Sequence, residues 1–510
     1  MTARARTAAL IGIDGHLVDV EADVDPGLPA TLLLGLPDSA LRETRDRVRA
    51  AIINSGERWP DAKITIGLRP ATLSKRGSAC DLAIAIAVLA ANGELPVPPD
   101  DVLFLAELGL DGRLRPLPGV LPAALAAADA GVSTVVIAAG NQAEAALAPG
   151  VTVVAAATLA EVLAWLRGDP PPRREPPGPG EGADPVSQPL PDLADVPGQD
   201  EARRALEISA AGGHHLSLLG PPGSGTTMLA ERLPSMMPPL DAAAALEVAS
   251  IRSAARMPPT GASAAAPFAA PHHTCSTAAM VGGGPGLIRP GAASLAHRGV
   301  LFLDQAPEFH RATLDALRQP LETGQVVISR ATARAAFPAR FTLVLAASPC
   351  PCTATARACQ EPACQCSPAA RRRYLGRLSG PLLDQVSVKV SLPPLRQSVP
   401  GGCSAGEPSA AVARRVAEAR DRSAVRLAGT PWRLNAEIPG AVLRRAFRPT
   451  AASLALVERA TELGQVSARG ADQIVRVAWT LADLAARNQP GRDEVNLAIE
   501  LRLGVTADRP

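Results

Sequence analysis

Residues 216–230 read LSLLGPPGSGTTMLA: an apolar β-type run, a glycine-rich turn and the start of a helix. Few folds accommodate that order. The glycines let successive backbone N–H groups turn toward phosphate oxygens, and the helix N-terminus adds positive potential. The full pattern for such a loop is G-x-x-x-x-G-K-[ST]. Here Gly220, Gly225 and Thr227 are in place, with Pro221, Pro222, Gly223 and Ser224 between the glycines. Thr226 occupies the lysine position. Thr227 keeps the hydroxyl that binds Mg²⁺. The lysine of a complete loop contacts the β- and γ-phosphates, and a hydrogen bond to a charged group contributes about 1.5–3 kcal/mol. Its absence lowers nucleotide affinity roughly tenfold to a hundredfold. The plain alternative is a Gly/Pro turn with no ligand.

A second segment, HRGVLFLDQAPEF (297–309), runs four apolar residues into Asp304. An aspartate at the end of such a strand holds Mg²⁺, usually through water. The next position ordinarily carries a glutamate that activates the attacking water, and here it is Gln305. An amide keeps the shape and positions water but cannot accept the proton. Glu308 follows three residues on and substitutes only if the loop moves. A strand-terminal cap is the plain alternative for Asp304.

The 510 residues allow two to four domains. Residues 169–192 (DPPPRREPPGPGEGADPVSQPLPD) are rich in Pro, Gly and charge and read as an extended linker. Before it, residues 1–168 mix strands (Ile64–Leu68, Thr134–Ile137) with helices (Asp38–Ser55, Ala79–Asn92, Gly119–Ala130), an α/β or α+β domain. After it, apolar runs at His215–Leu219, Val300–Leu303 and Phe341–Ala346 alternate with helical patterns, as in a doubly wound parallel sheet. From about Ser409 the pattern is helical only: Ala410–Arg420, Ala451–Leu463, Ala468–Arg487 and Arg492–Leu503. The expected division is 1–168, the linker 169–192, a nucleotide-binding core 193–395 and a helical lid 396–510.

The balance of 51 basic against 49 acidic residues does not advertise nucleic-acid binding. Only 4 Trp, 1 Tyr and 7 Phe occur, too few for a base-stacking platform. The basic N-terminus lacks a long apolar segment, and no run approaches a membrane span of roughly 18 apolar residues. Leu82–Ala91 is the longest such run and reads as a core helix. A cytoplasmic protein is expected.

The chain resembles the Mg-chelatase-like AAA+ proteins of bacteria, the YifB or ComM type, over residues 1–503. The motifs include GLPDSALRETRDRVRAAI (35–52), KRGSACDLAIAIAVLAA (75–91), GRLRPLPGVLPAALAA (112–127), DVPGQDEARRALEISAAGGHHLSLLGPPGSG (195–225), APHHTCS (270–276), RPGAASLAHRGVLFLDQAPEF (289–309), LRQPLETGQVVISRA (317–331) and RLSGPLLD (377–384). The resemblance implies an N-terminal domain of the Lon-protease/ribosomal-S5 type, without protease activity. Ser78 and Lys75 lie close in sequence, but nothing supports a nucleophile loop around them. It also implies an AAA+ core that assembles into rings, hexamers by the family pattern, with ATP between subunits. The ComM member resembles a DNA motor that promotes branch migration in natural transformation; the chelatase relatives insert metal into a porphyrin.

The chain departs from the family at chosen points. The family has Lys at 226, Glu at 305 and Asn at the sensor-1 position 348; this chain has Thr226, Gln305 and Ser348. The family's LLDRIDL is LLDQVSV here, which puts Gln385 at the position of an arginine resembling a trans-acting finger. Arg469 matches the sensor-2 position and is retained. Catalysis of this kind is nearly all positioning and electrostatics. The expectation is therefore an ATP-binding, ComM-type protein with weak or no hydrolysis, as a homo-oligomer or beside an active paralogue. The rival expectation is an active, ATP-driven DNA branch-migration ring.

Five of the eight cysteines fall within PCPCTATARACQEPACQCSP (349–368). Cys350, Cys352, Cys364 and Cys366 form a C-x-C…C-x-C pair of pairs able to close a tetrahedral Zn²⁺ site; unliganded thiols are the alternative. The ComM type carries a similar cysteine-rich insert. His272 and His273 in PHHT face a ring pore or pack against a loop. Arg371–Arg373 and Arg377 meet DNA phosphates or form a solvated helix face. His214 and His215 lead into the phosphate-loop strand and read as packing residues.

Overall fold

The computed structural model describes residues 1–35, 38–70, 73, 78–172, 190–257, 263–284, 288–330, 334–352, 366–393 and 406–504. Lys75, Cys359, Cys364 and most of the segment 169–192 lie outside them.

The N-terminal part is built on a long hairpin. Thr2–Ile11 pairs antiparallel with Asp14–Asp25 along its whole length. Small alanines at 3, 5 and 9 alternate inward, as the two-residue period of a half-buried strand requires. Five further strands extend this pair into a seven-stranded mixed sheet, which includes Lys63–Arg69 and Thr134–Ala138 near their expected positions. The helix Asp81–Ala91 is buried on every side, which explains a sequence that is apolar all round rather than striped.

The central part carries a five-stranded, wholly parallel sheet. Its order is Phe268–Ala269, Val300–Leu303, Thr342–Ala347, Leu216–Leu219, Val388–Ser391. Every residue of the second and third strands is buried. That accounts for their continuous apolar runs, since a parallel sheet covered on both faces has no polar side to alternate with. The phosphate-loop strand lies between two parallel neighbours, so the turns after several strands converge at one edge of the sheet.

The C-terminal helices are Ser409–Arg426, Ala451–Glu462, Ala468–Leu484 and Arg492–Leu503. They share one hydrophobic core with helix Asp200–Gly212 and with the phosphate-loop helix Thr226–Met236. Val416, Val477, Leu229 and Leu233 are all fully buried within it. The apolar stripes of the C-terminal helices therefore face the nucleotide core rather than one another alone. Among the described residues, no helix is long and apolar enough to cross a membrane.

Among the described residues, the N-terminal and central parts meet at two places. The turn of the long hairpin places Gly12 (φ +71°) so close to the carbonyl of Ala336 that a Cβ there would lie 2.6 Å from the oxygen. Ile11, Ile13, Ile288, Ile328 and Phe337 pack around that contact. Gly119 N–H donates to Ser253 O at 3.1 Å, and Ala249 joins the N-terminal core.

Candidate nucleotide site

Strand Leu216–Leu219 ends at Gly220, whose N–H donates to Ala347 O (3.0 Å) in the neighbouring strand. Gly223 (φ +81°) and Gly225 (φ +90°) both take the left-handed conformation that glycine adopts without strain. A Cβ at Gly223 would meet nothing within 4 Å, so the turn is open there. Ser224 Oγ is buried and without a hydrogen-bond partner among the described residues. Helix Thr226–Met236 begins immediately after, with its unsatisfied N–H groups at the turn. Gln199 anchors the turn from outside, donating to Ser224 O (3.1 Å) and Pro393 O (3.0 Å).

Thr227 Oγ1 donates to Asp304 Oδ2 at 3.2 Å. The sequence placed these residues 77 positions apart, and the parallel pairing of their strands with Thr342–Ala347 brings them together. The two oxygens are close enough to serve one Mg²⁺, directly or through water. The residues thus fit a magnesium–phosphate group: backbone donors, a hydroxyl and a carboxylate. No Lys or Arg side chain is hydrogen-bonded to 220–227 or to Asp304 among the described residues.

Gln305 has φ +50°, a left-handed value unusual for a residue other than glycine, and its N–H donates to Asp304 Oδ1 at 2.9 Å. The backbone is held in a strained, defined shape at the position where the sequence pattern leads one to expect a glutamate, while the exposed side chain is an uncharged amide. Glu308 does not reach back to replace it. Its carboxylate pairs with Arg377 at 3.1 Å. The Tyr374 hydroxyl, pushed up to about 12 by burial and by Glu308, also bonds to it. Ser348 follows the end of the neighbouring strand Thr342–Ala347 and is half-buried.

Gln385 and Arg469 are brought together, but not at the phosphate loop of their own chain. Gln385 Nε2 donates to Glu322 Oε1 at 3.3 Å, and Arg469 Nη2 pairs with the same oxygen at 3.2 Å. Glu322 received no role from the sequence; its meeting with two distant side chains is purely a tertiary event.

Three of the four thiols in the pair of pairs converge: the Sγ atoms of Cys350, Cys352 and Cys366 all lie within 4.8 Å of one another. Four sulfurs around one Zn²⁺ stand about 3.8 Å apart by tetrahedral geometry, so the cluster fits a metal. Cys364 lies outside the described residues. Helix Pro368–Leu375 follows the cluster and carries exposed Arg371–Arg373. Arg377 packs over the Tyr374 ring at 5.7 Å.

The His272 and His273 rings lie 4.1 Å apart, tilted by 35°, and His273 meets Phe309 edge-on at 6.4 Å. His272 remains exposed. His214 is buried and shares a 2.7 Å hydrogen bond with Thr480; burial holds its pKa down to about 3. His215 Nδ1 accepts from Leu343 N–H at 3.0 Å. Both of these histidines are occupied by packing and internal hydrogen bonds.

Residues 192–399 match the family of the magnesium chelatase subunit ChlI, 20–141 match a second ChlI segment, and 406–502 match the ChlI C-terminal region. An uncharacterized protein of Mycobacterium tuberculosis is 49% identical over 504 residues, 98% of each chain. The uncharacterized protein YifB of Escherichia coli is 41% identical, covering 97% of this chain and 96% of its own. The competence protein ComM of Haemophilus influenzae is 40% identical, covering 94% and 93%. The chain belongs to the Mg-chelatase-like family of YifB and ComM.

Proposed function

We propose that this member of the Mg-chelatase-like family binds Mg–ATP through backbone donors, Thr227 and Asp304, and turns it over slowly or not at all. The observation that carries this is the pairing of Thr227 with Asp304 in a loop to which, among the described residues, no cationic side chain is bonded. Binding and hydrolysis make different demands. A glycine loop at a helix N-terminus can hold phosphate. Hydrolysis also needs a base or water-positioning group and cations that follow the charge as it shifts. Gln305 can orient water without taking its proton, Glu308 is committed to Arg377, and Gln385 carries no charge.

The chain acts in a cytoplasmic ring, with itself or with an active paralogue. This is supported by Gln385 and Arg469, which meet on Glu322 instead of their own phosphate loop, as expected of groups offered to a neighbouring subunit. The division at 1–168, 169–192, 193–395 and 396–510 goes with this reading. DNA association goes with the resemblance to the ComM type and with the exposed Arg371–Arg373. The thiol cluster would hold a structural Zn²⁺, with Cys364 as its fourth ligand, at the base of that helix.

ATP binding and ATPase rates on the purified chain, with and without branched DNA, test this. Measurable ATP affinity with negligible turnover is expected, and Thr226→Lys with Gln305→Glu should create turnover. A rate of about one per second, abolished by Asp304→Ala, would show an active DNA motor instead.

A further inference from the structure

The thiol cluster stands between two routes to the nucleotide site. Cys350 follows strand Thr342–Ala347 after Ser348 and Pro349. Ala347 O in that strand accepts the Gly220 N–H at 3.0 Å, at the start of the glycine loop. Cys366 lies on the other side, next to Ser367. The Ser367 Oγ caps helix Pro368–Leu375 by accepting from Ala370 N–H at 3.2 Å. The far end of that helix carries Tyr374, and Arg377 follows it. Both bond to the Glu308 carboxylate, Arg377 at 3.1 Å.

Glu308 is in turn bonded to the site through its backbone. Its N–H donates to Gln305 O at 2.8 Å, the Gln305 N–H donates to Asp304 Oδ1 at 2.9 Å, and Asp304 Oδ2 accepts the Thr227 hydroxyl at 3.2 Å. The bonds therefore run without a break from the helix after the thiols to the two oxygens placed for Mg²⁺. They pass through Gln305, whose backbone is left-handed at φ +50°. A turn in a sparsely populated conformation persists only where its surroundings hold it, and the hold on Glu308 is one such support.

That hold is weak by itself. Glu308 is 35% exposed and Arg377 55%, and a half-exposed ion pair adds little. The thiols offer a stronger anchor for the helix. Cys350 Sγ and Cys352 Sγ are 3.1 Å apart, and all three sulfurs lie within 4.8 Å of one another. These spacings bracket the sulfur–sulfur distance of about 3.8 Å around a tetrahedral Zn²⁺. A metal ion shared by Cys350, Cys352 and Cys366 closes the loop between the strand end and the helix start, and its binding energy goes into fixing both.

We propose that Zn²⁺ on Cys350, Cys352 and Cys366 is a latch on the nucleotide site. With the metal in place, helix Pro368–Leu375 holds Glu308 and the Gln305 turn, and Asp304 is preset for Mg²⁺. Without it, the helix releases them. The latch goes beyond a structural metal: it rests on Zn²⁺ as the occupant of the thiol cluster and not on ATP binding by the glycine loop.

Tyr374 is the chain's only tyrosine. The full chain made with meta-fluorotyrosine therefore has a single fluorine resonance, beside the Glu308 carboxylate. The spectrum is recorded on the zinc-loaded chain, after a chelator has stripped it under reducing conditions, and after zinc is returned, with zinc content measured each time. The resonance should move or broaden on stripping and recover on reloading. Mg–ATP affinity should weaken roughly fivefold or more in the stripped chain, the low end of coupling between linked sites. Saturating Mg–ATP should tighten zinc binding, measured against a competing chromophoric chelator, by the same factor, because linkage is reciprocal. Glu308→Ala should still take up zinc and lose the linkage. Cys350→Ser with Cys366→Ser should match the stripped chain; if that variant fails to fold, the chelated native chain and Glu308→Ala carry the test. Zinc uptake that leaves the resonance unmoved overturns the latch, as does a responding resonance with Mg–ATP affinities within twofold of each other. Failure to take up zinc overturns the latch and the metal together. A chain that binds no Mg–ATP in either state overturns nucleotide binding alone, and the fluorine response to zinc then decides the latch.

Discussion

The two ends of the five-stranded sheet are built for different work. At the carboxyl ends stand Thr226, Gln305 and Ser348, neutral groups around one carboxylate, Asp304. At the amino ends stand arginines, three of them (Arg340, Arg420 and Arg476) without a carboxylate partner among the described residues, above a buried polar network. In that network Asp483 takes two hydrogen bonds from Arg426, at 2.5 and 2.6 Å. Asn435 bridges Asp483 and Thr480, and Thr480 meets His214 at the foot of the phosphate-loop strand. One end retains phosphate-loop shape with little charge, while the other retains charge and ties the C-terminal helices to the sheet. The loop survives loss of side-chain charge because its donors are backbone. The Asp483 network at the amino end cannot, because its bonds are side chain to side chain.

That contrast is broken or sharpened by four measurements. Asp483→Ala leaves Arg426 buried without its partner and should cost about 3–5 kcal/mol in chemical denaturation; a cost below about 1 kcal/mol would mean the network does not lock the helices to the sheet. Thr226→Lys restores a cation to the loop and should tighten ATP binding tenfold to a hundredfold, worth about 1.5–3 kcal/mol. No change in titration calorimetry would mean that the loop does not present phosphate to position 226.

The buried imidazole gives a smaller, pH-dependent effect. His214 titrates at about 3 in the folded chain, against about 6.5 unfolded. The unfolded chain therefore takes up the proton first. The stability is complete above about pH 6.5 and falls by up to about 1.4 kcal/mol per pH unit below it, until the folded value is reached. His214→Gln should flatten that part of the acid limb in denaturation curves recorded from pH 7 to 4. The smallest effect belongs to Glu322→Gln. Its pair with Arg469 is half-exposed, 47% and 45%, and an exposed pair contributes about 0–1 kcal/mol. Thermal unfolding should barely move; a large shift would make Glu322 a structural group instead of a surface partner of Gln385 and Arg469.

Much of the fold was legible in the sequence because local rules govern it. The buried strands Val300–Leu303 and Thr342–Ala347 appear as unbroken apolar runs, and helix Ala468–Leu484 as a periodic one. The long N-terminal hairpin was not read, since its inward residues are alanines, weakly distinguished from a helical pattern. The joining of the C-terminal helices to the core of the phosphate-loop helix was also hidden, because an apolar stripe shows that a face is covered but not by what.

The same division holds for the site. The sequence alone determined the glycine loop, Thr227, Asp304 and the neutral residues at 226, 305 and 385, because these follow from residue identity at fixed spacing. Only the tertiary structure decided that Thr227 meets Asp304, that Glu308 is taken by Arg377, that Gln385 and Arg469 share Glu322, and that three arginines line a cleft at the far end of the sheet. Each of these depends on which strands lie side by side and which helices close over their ends, and no spacing along the chain encodes that.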